Sequence, residues 1–90
     1  MVKEKTKTKK NEKENSSLTK DLLLHNDNFN TFDFVIETLI EVCEHDSLQA
    51  EQCSMIVHYK GKCAVKSGPF DELKPKYDAL INKGLSATID

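Results

Sequence analysis

Apolar side chains recur along this chain with two different periods. The short run over residues 21–25, with Leu22-Leu23-Leu24 inside it, is closed by the polar cluster Asn26–Asn30 and predicts a strand followed by a turn. Beyond the turn, Phe32, Val35, Ile36, Leu39, Ile40 and Cys43 return at i, i+3 and i+4 spacing, with Glu37, Glu41 and Glu44 on the other face. That is the period of an amphipathic helix starting near Thr31, with Asn30 and Asp33 placed as N-cap and third residue. Glu44-His45-Asp46 closes it. Asp46 or Ser47 can cap a second helix reaching Tyr59, with Ala50, Cys53, Ile56 and Val57 as its inner stripe and Gly61 as the left-handed residue after its end. Residues 62–67 read as a strand and Gly68-Pro69 as a break. Leu73, Tyr77, Leu80 and Ile81 mark a third helix, which Pro75 either opens or kinks. Gly84 ends that helix, and the alternation Leu85–Ile89 predicts a half-buried final strand.

The resulting order, β-α-α-β-α-β, suits an α+β fold: a small three-stranded antiparallel sheet packed against three helices. Residues 1–20 stand apart. They carry seven Lys and three Glu, with Val2 and Leu18 as their only branched aliphatic side chains. Such a segment cannot bury enough apolar surface to offset its chain entropy. We therefore expect residues 1–18 to be a disordered Lys-rich extension and residues 19–90 to be one folding unit, small but sufficient for a core.

Charge sharpens that division. The net charge of −2 is the sum of a +4 extension, residues 1–20, and a −6 body, residues 21–90. An acidic body argues against nucleic acid as a partner of the fold. The absence of Arg removes the usual bidentate grip on phosphates and base edges. No apolar run approaches a membrane span and no apolar leader opens the chain, so a cytoplasmic protein that touches no membrane is expected. The three Cys, an odd number within apolar-patterned segments, read as free thiols.

Two places can carry chemistry. Asn26-Asp27-Asn28 sets a carboxylate and amides at the end of a strand and over the mouth of a helix, beside an apolar face. His58 stands within the run Met55-Ile56-Val57-His58-Tyr59. Each has an ordinary alternative: Asp27 and its neighbours as turn formers, His58 as a core residue. Together they could hold a small cation attached to an apolar group. No catalytic set accompanies them. The serines lack a nucleophile-elbow setting, the pairs Cys53–His58 and Cys43–His25 lack an orienting third group, and the Cys and His spacing matches no zinc pattern. No Gly-rich phosphate loop is present. The expectation is a non-enzyme without cofactor or metal.

The segment H-N-D-N-F-N-T-F-D-F-V-I-E-T-L, followed by Ala50 and then V-H-Y-K-G-K-C from Val57, resembles the ClpS family of protease adaptors. That family carries N-D-D-Y/F-T-P-M-E-F-V and then V-H-x-x-G-K. The resemblance implies an adaptor that binds proteins with a bulky hydrophobic N-terminal residue and delivers them, as a monomer, to a Clp-family AAA+ unfoldase, ClpA- or ClpC-like. It implies that Asn26, Asp27 and His58 contact the free α-amino group and first peptide unit. It places Thr31, Phe32, Val35, Ser54 and Val57 along the side-chain pocket, with Leu85 closing it.

The chemistry suits those roles. A free α-amino group has a pKa of about 7.7–8.0 and is largely protonated at neutral pH. A charge-assisted hydrogen bond to Asp27 is worth about 1.5–3 kcal/mol, and burial of a Leu or Phe side chain about as much again. The chain also departs from the family pattern. Asn28 replaces an acidic residue, Thr31-Phe32 replaces Pro-Met, and Ser54 stands where Met is common. These changes bear on the order of preference among N-terminal residues. They also leave a second expectation, a regulator that docks on the unfoldase but has lost degron binding.

Overall fold

A computed structural model describes residues 18–90. The Lys-rich segment expected to be disordered lies, but for Leu18, outside the described residues. The element order is that expected from the sequence: β1 (Lys20–His25), α1 (Phe32–Cys43), α2 (Ser47–Lys60), β2 (Lys62–Gly68), α3 (Phe70–Asn82) and β3 (Ser86–Ile89). β1 lies at the centre of the sheet, antiparallel to β2 on one side and to β3 on the other. Three helices and this three-stranded sheet make an α+β fold, with the core formed between them.

Alternation along β1 decides which face is covered. Leu22 and Leu24 are fully buried, and Ala87 opposite Leu24 is buried as well. Leu23 and His25 point to the other face, where His25 Nε2 meets the Thr88 hydroxyl at 2.8 Å. The register of β1 with β2 shifts between Leu22 and Leu23, so Val65 is an extra residue bulged out of the ladder. Its carbonyl is taken by the buried His45, whose Nε2–H donates at 2.7 Å.

Each helix end has a local cause. Asp46 caps α2 by accepting from Gln49 N–H at 2.8 Å, and Gly61 ends it at φ +98°, where a side chain would be strained. α1 ends at Glu44, itself left-handed at φ +61°, with the His45 N–H returning to the Leu39 carbonyl. Pro75 neither opens α3 nor ends it. It lies inside the helix, where the carbonyl it leaves unpaired belongs to the exposed Asp71 and faces water.

The inner stripes differ from expectation at four apolar positions, Phe32, Ile40, Ile56 and Ile81, all of them exposed. Ile40 and Ile56 are surface residues, Ile56 being 43% exposed. Thr38 and Ser54 are buried in their place. On α2 the buried set is Ala50, Cys53, Ser54 and Val57, a strict i, i+3, i+4, i+7 stripe that includes one polar member.

Candidate functional site

The Asp27 carboxylate organises the turn between β1 and α1. Its Oδ1 accepts the backbone N–H groups of Phe29 and Asn30, each at 2.8 Å, and its Oδ2 accepts the Asn30 side-chain amide at 3.0 Å. The same Asn30 amide donates to the Gly84 carbonyl at 3.0 Å, tying the turn to the approach of β3. Asn26 N–H donates to the Gly61 carbonyl at 2.9 Å, which pins the end of β1 to the end of α2. That last bond brings His58, in the final turn of α2, to the Asn26–Asp27 turn. The two motifs, far apart in sequence, thus share one rim.

The rim surrounds a hole of about 320 Å³. Its walls are Asn26, Asp27, Asn28, Asn30, Phe32, Val35, Ser54, Val57 and His58. The Phe32 ring meets the His58 imidazole edge-on, 6.5 Å between centroids and 87° between planes, and Tyr59 packs edge-on against the same imidazole at 4.7 Å. His58 itself is exposed, so it is no core histidine. Val57 and Ser54 are buried beneath it.

Asp27 keeps its negative charge and part of its accepting capacity. Partial burial works to raise its pKa, but the hydrogen bonds from the Asn30 backbone, the Asn30 side chain and the Phe29 backbone outweigh it and hold the carboxyl below the ordinary carboxylate value. Oδ1 already accepts two bonds and Oδ2 only one, so one acceptor position on Oδ2 remains for an incoming cation. Asp27 is therefore both a turn former and a charged group beside an apolar hole.

Two residues expected in the pocket lie elsewhere. Thr31 does not line the hole. It is the N-cap of α1, its hydroxyl accepting Phe34 N–H at 3.1 Å. The cap falls one residue later than expected, which frees Asn30 to brace Asp27 and join the wall. Leu85 is buried behind the site, where it lines a second void of about 30 Å³ shared with Asn26, Asp27, Asn30, Val35 and Val57. Asn28 and Asn30 are wall residues not singled out for that role. The Asp27–Asn30 spacing, that of an acidic side chain folding back on the amides ahead of it, was the available signal for Asn30.

The Cys43–His25 alternative has no support. Burial pushes Cys43 up to about 11, against the pull of Lys76 and Lys66, and Cys63 is raised as well by burial and by the adjacent Cys53 sulfur. A thiol so raised carries almost no nucleophilic thiolate at neutral pH.

The family "ATP-dependent Clp protease adaptor protein ClpS" matches residues 5–88. Among relatives, the chain is 33% identical over 70 residues to the ATP-dependent Clp protease adapter protein CLPS1, chloroplastic, of Chlamydomonas reinhardtii, covering 77% of this chain and 43% of that one. It is 39% identical over 64 residues to ClpS of Edwardsiella ictaluri, covering 69% and 58%. The chain thus spans about half the length of these relatives. Its fold is similar to that of Agrobacterium tumefaciens ClpS2, solved bound to L-phenylalaninamide, with a TM-score of 0.70, 21% identity, and coverage of 83% of this chain and 96% of that one. With the motif residues gathered on one rim and nearly the whole chain matched, this protein belongs to the ClpS family of Clp protease adaptors.

Proposed function

We propose that this protein is an adaptor, not an enzyme, that binds proteins bearing a bulky hydrophobic N-terminal residue and presents them to a Clp-type AAA+ unfoldase. The observation that carries the reading is the convergence of the Asp27 carboxylate and the exposed His58 imidazole on one rim, above a hole walled by Phe32, Val35 and Val57. In this reading the α-ammonium takes the free acceptor of Asp27, Asn26 and the His58 imidazole bond the first peptide unit, and the first side chain fills the hole. An internal residue has no ammonium and would leave Asp27 without a cationic partner, which makes rejection part of the design. The fold neighbour's phenylalaninamide, an amine beside an aromatic side chain, has the chemistry this hole requires. A hole that is open gives no ground for the reading in which degron binding has been lost. The protein is proposed to work as a monomer in the cytosol, with a ClpA- or ClpC-like partner.

Titration with a Leu- or Phe-initiated peptide and its N-acetylated twin tests this reading. Removing the ammonium should weaken binding by about ten- to a hundredfold, the equivalent of one charge-assisted hydrogen bond. Equal affinity for the two forms would remove Asp27 from the site.

A further inference from the structure

Among the side chains lining the hole, the polar ones fall into two sets. Asn26, Asp27, Asn28, Asn30 and His58 are at the rim and in reach of water. Ser54 is only 2% exposed, and its hydroxyl has no hydrogen-bond partner. A buried hydroxyl without a partner is costly and uncommon. In an otherwise apolar wall of Phe32, Val35 and Val57, it marks a place where a partner is missing.

Its depth limits what that partner is. Ser54 and His58 are i and i+4 on α2, so they share a helix face and lie about 6 Å apart along the axis. A peptide amine held at the His58 rim would send its first side chain along that line toward Ser54. A leucine or phenylalanine brings no polar atom to the far end and seals the hydroxyl in an apolar contact. A tyrosine carries its phenol at the tip of the ring, and a phenol can donate to the serine oxygen or accept from its hydrogen. Among the described residues no Lys or Glu lines the hole and Asp27 at the rim is its one carboxylate, so a charged side chain would find no counter-ion at its inner end.

We propose that Ser54 is a specificity-determining residue that hydrogen-bonds the far end of the first side chain, so that an N-terminal tyrosine is preferred over phenylalanine. The inference rests on the degron reading above and adds the identity of the preferred ring.

The test is a matched titration of the full chain with peptides identical except for an initial Tyr or Phe, each also N-acetylated, against wild type, Ser54→Ala and Ser54→Thr. Wild type should bind the Tyr peptide about three- to tenfold more tightly than the Phe peptide, the equivalent of one net hydrogen bond. Ser54→Ala should bring that ratio to about one, and Ser54→Thr, which keeps the hydroxyl, should retain the Tyr preference. A ratio that is the same in wild type and Ser54→Ala overturns the role of Ser54. So does a wild type that binds Phe as tightly as Tyr, a result that needs no variant to fold. Binding by neither free peptide, or equal binding of the acetylated forms, overturns the degron reading itself and is distinguished from the other outcomes by the acetylated arms.

Discussion

Two short polar connections lead into helices in this molecule, and only one of them borders a hole. The turn Asn26–Thr31 enters α1 and the turn Glu44–Asp46 enters α2. Both contain an aspartate that accepts backbone N–H groups, Asp27 from Phe29 and Asn30, Asp46 from Gln49. In the second turn the polar side chains serve the fold and face no cavity. Asp46 caps its helix, and His45, 4% exposed, gives its Nε2–H to the bulged Val65 carbonyl. In the first turn the cap is delegated to Thr31, and Asp27 keeps charge and one acceptor beside a cavity. An acidic residue ahead of a helix is thus not a site by itself. What makes it one is a spare valence facing apolar space.

The sharpest way to break that contrast is to remove each aspartate in turn. Asp27→Ala should weaken a Phe-initiated peptide by at least about tenfold, since it deletes a charge-assisted bond. Asp46→Ala should leave peptide affinity as it was and cost about 1 kcal/mol of stability, the usual loss on removing an N-cap. Calorimetric titration and denaturant unfolding of both variants decide it. A loss of affinity in both would mean that the two turns are not different in kind.

The histidines offer the same contrast on a second pair. His45→Ala leaves the Val65 carbonyl unpaired in the core and opens a void, so about 1–3 kcal/mol of stability should go. His58 is exposed and packs only edge-on against Phe32 and Tyr59, so His58→Ala should unfold at nearly the wild-type denaturant midpoint while losing peptide affinity. Unfolding of the His58 variant would return that residue to the core role that its apolar neighbours in sequence suggested.

Legibility in the sequence followed the same line. The element order came from period together with the caps, turns and glycines between the runs, because most elements bury one face and the polar punctuation marks where each ends. Asp27 and His58 stood out as polar residues interrupting apolar runs. The misplacements have physical causes. Asn30 and Thr31 are both good caps, and only the fold decides that Asn30 is needed to bridge Asp27 and Gly84. Ser54 rather than Ile56 is buried because the geometry of the Ala50–Cys53–Val57 stripe requires residue 54 to point inward whatever its type, and apolarity alone does not report that. Leu85 follows a left-handed glycine, Gly84 at φ +87°, and is carried behind the wall by a turn that no periodicity reports.

Acidity separates the turns next. The Asp27 pKa is lowered in the folded state, so its contribution to stability is fully present above the unfolded value of about 3.9 and is lost as pH falls through the lowered folded value. The stability difference between wild type and Asp27→Asn should therefore be constant from neutral pH down to about 5 and shrink below about 4. Peptide affinity has the opposite limb. It should fall as pH rises past about 8, when the peptide ammonium loses its proton. Unfolding midpoints across pH, paired with titrations at pH 7 and 9, check both signs. A difference that grows on acidification would reverse the assignment.

The smallest expected effect is the one that tells a cap from a wall. If Thr31 lined the pocket, Thr31→Ala would change peptide affinity without lowering stability. With its hydroxyl committed to the Phe34 N–H, the substitution should instead remove one capping bond and cost about 1 kcal/mol, or about 0.5 at the low end of the capping range. Thr31→Ser keeps the hydroxyl and should restore most of that loss. Because the cap also fixes where α1 begins, and Phe32 is the first residue of that helix, fraying would act on the Phe32 wall before it acted on Ser54 and Val57. The signature is a lowered unfolding midpoint together with an affinity change that Thr31→Ser reverses in step with stability. An affinity loss in Thr31→Ala at undiminished stability would place Thr31 in the wall and Asn30 back at the cap.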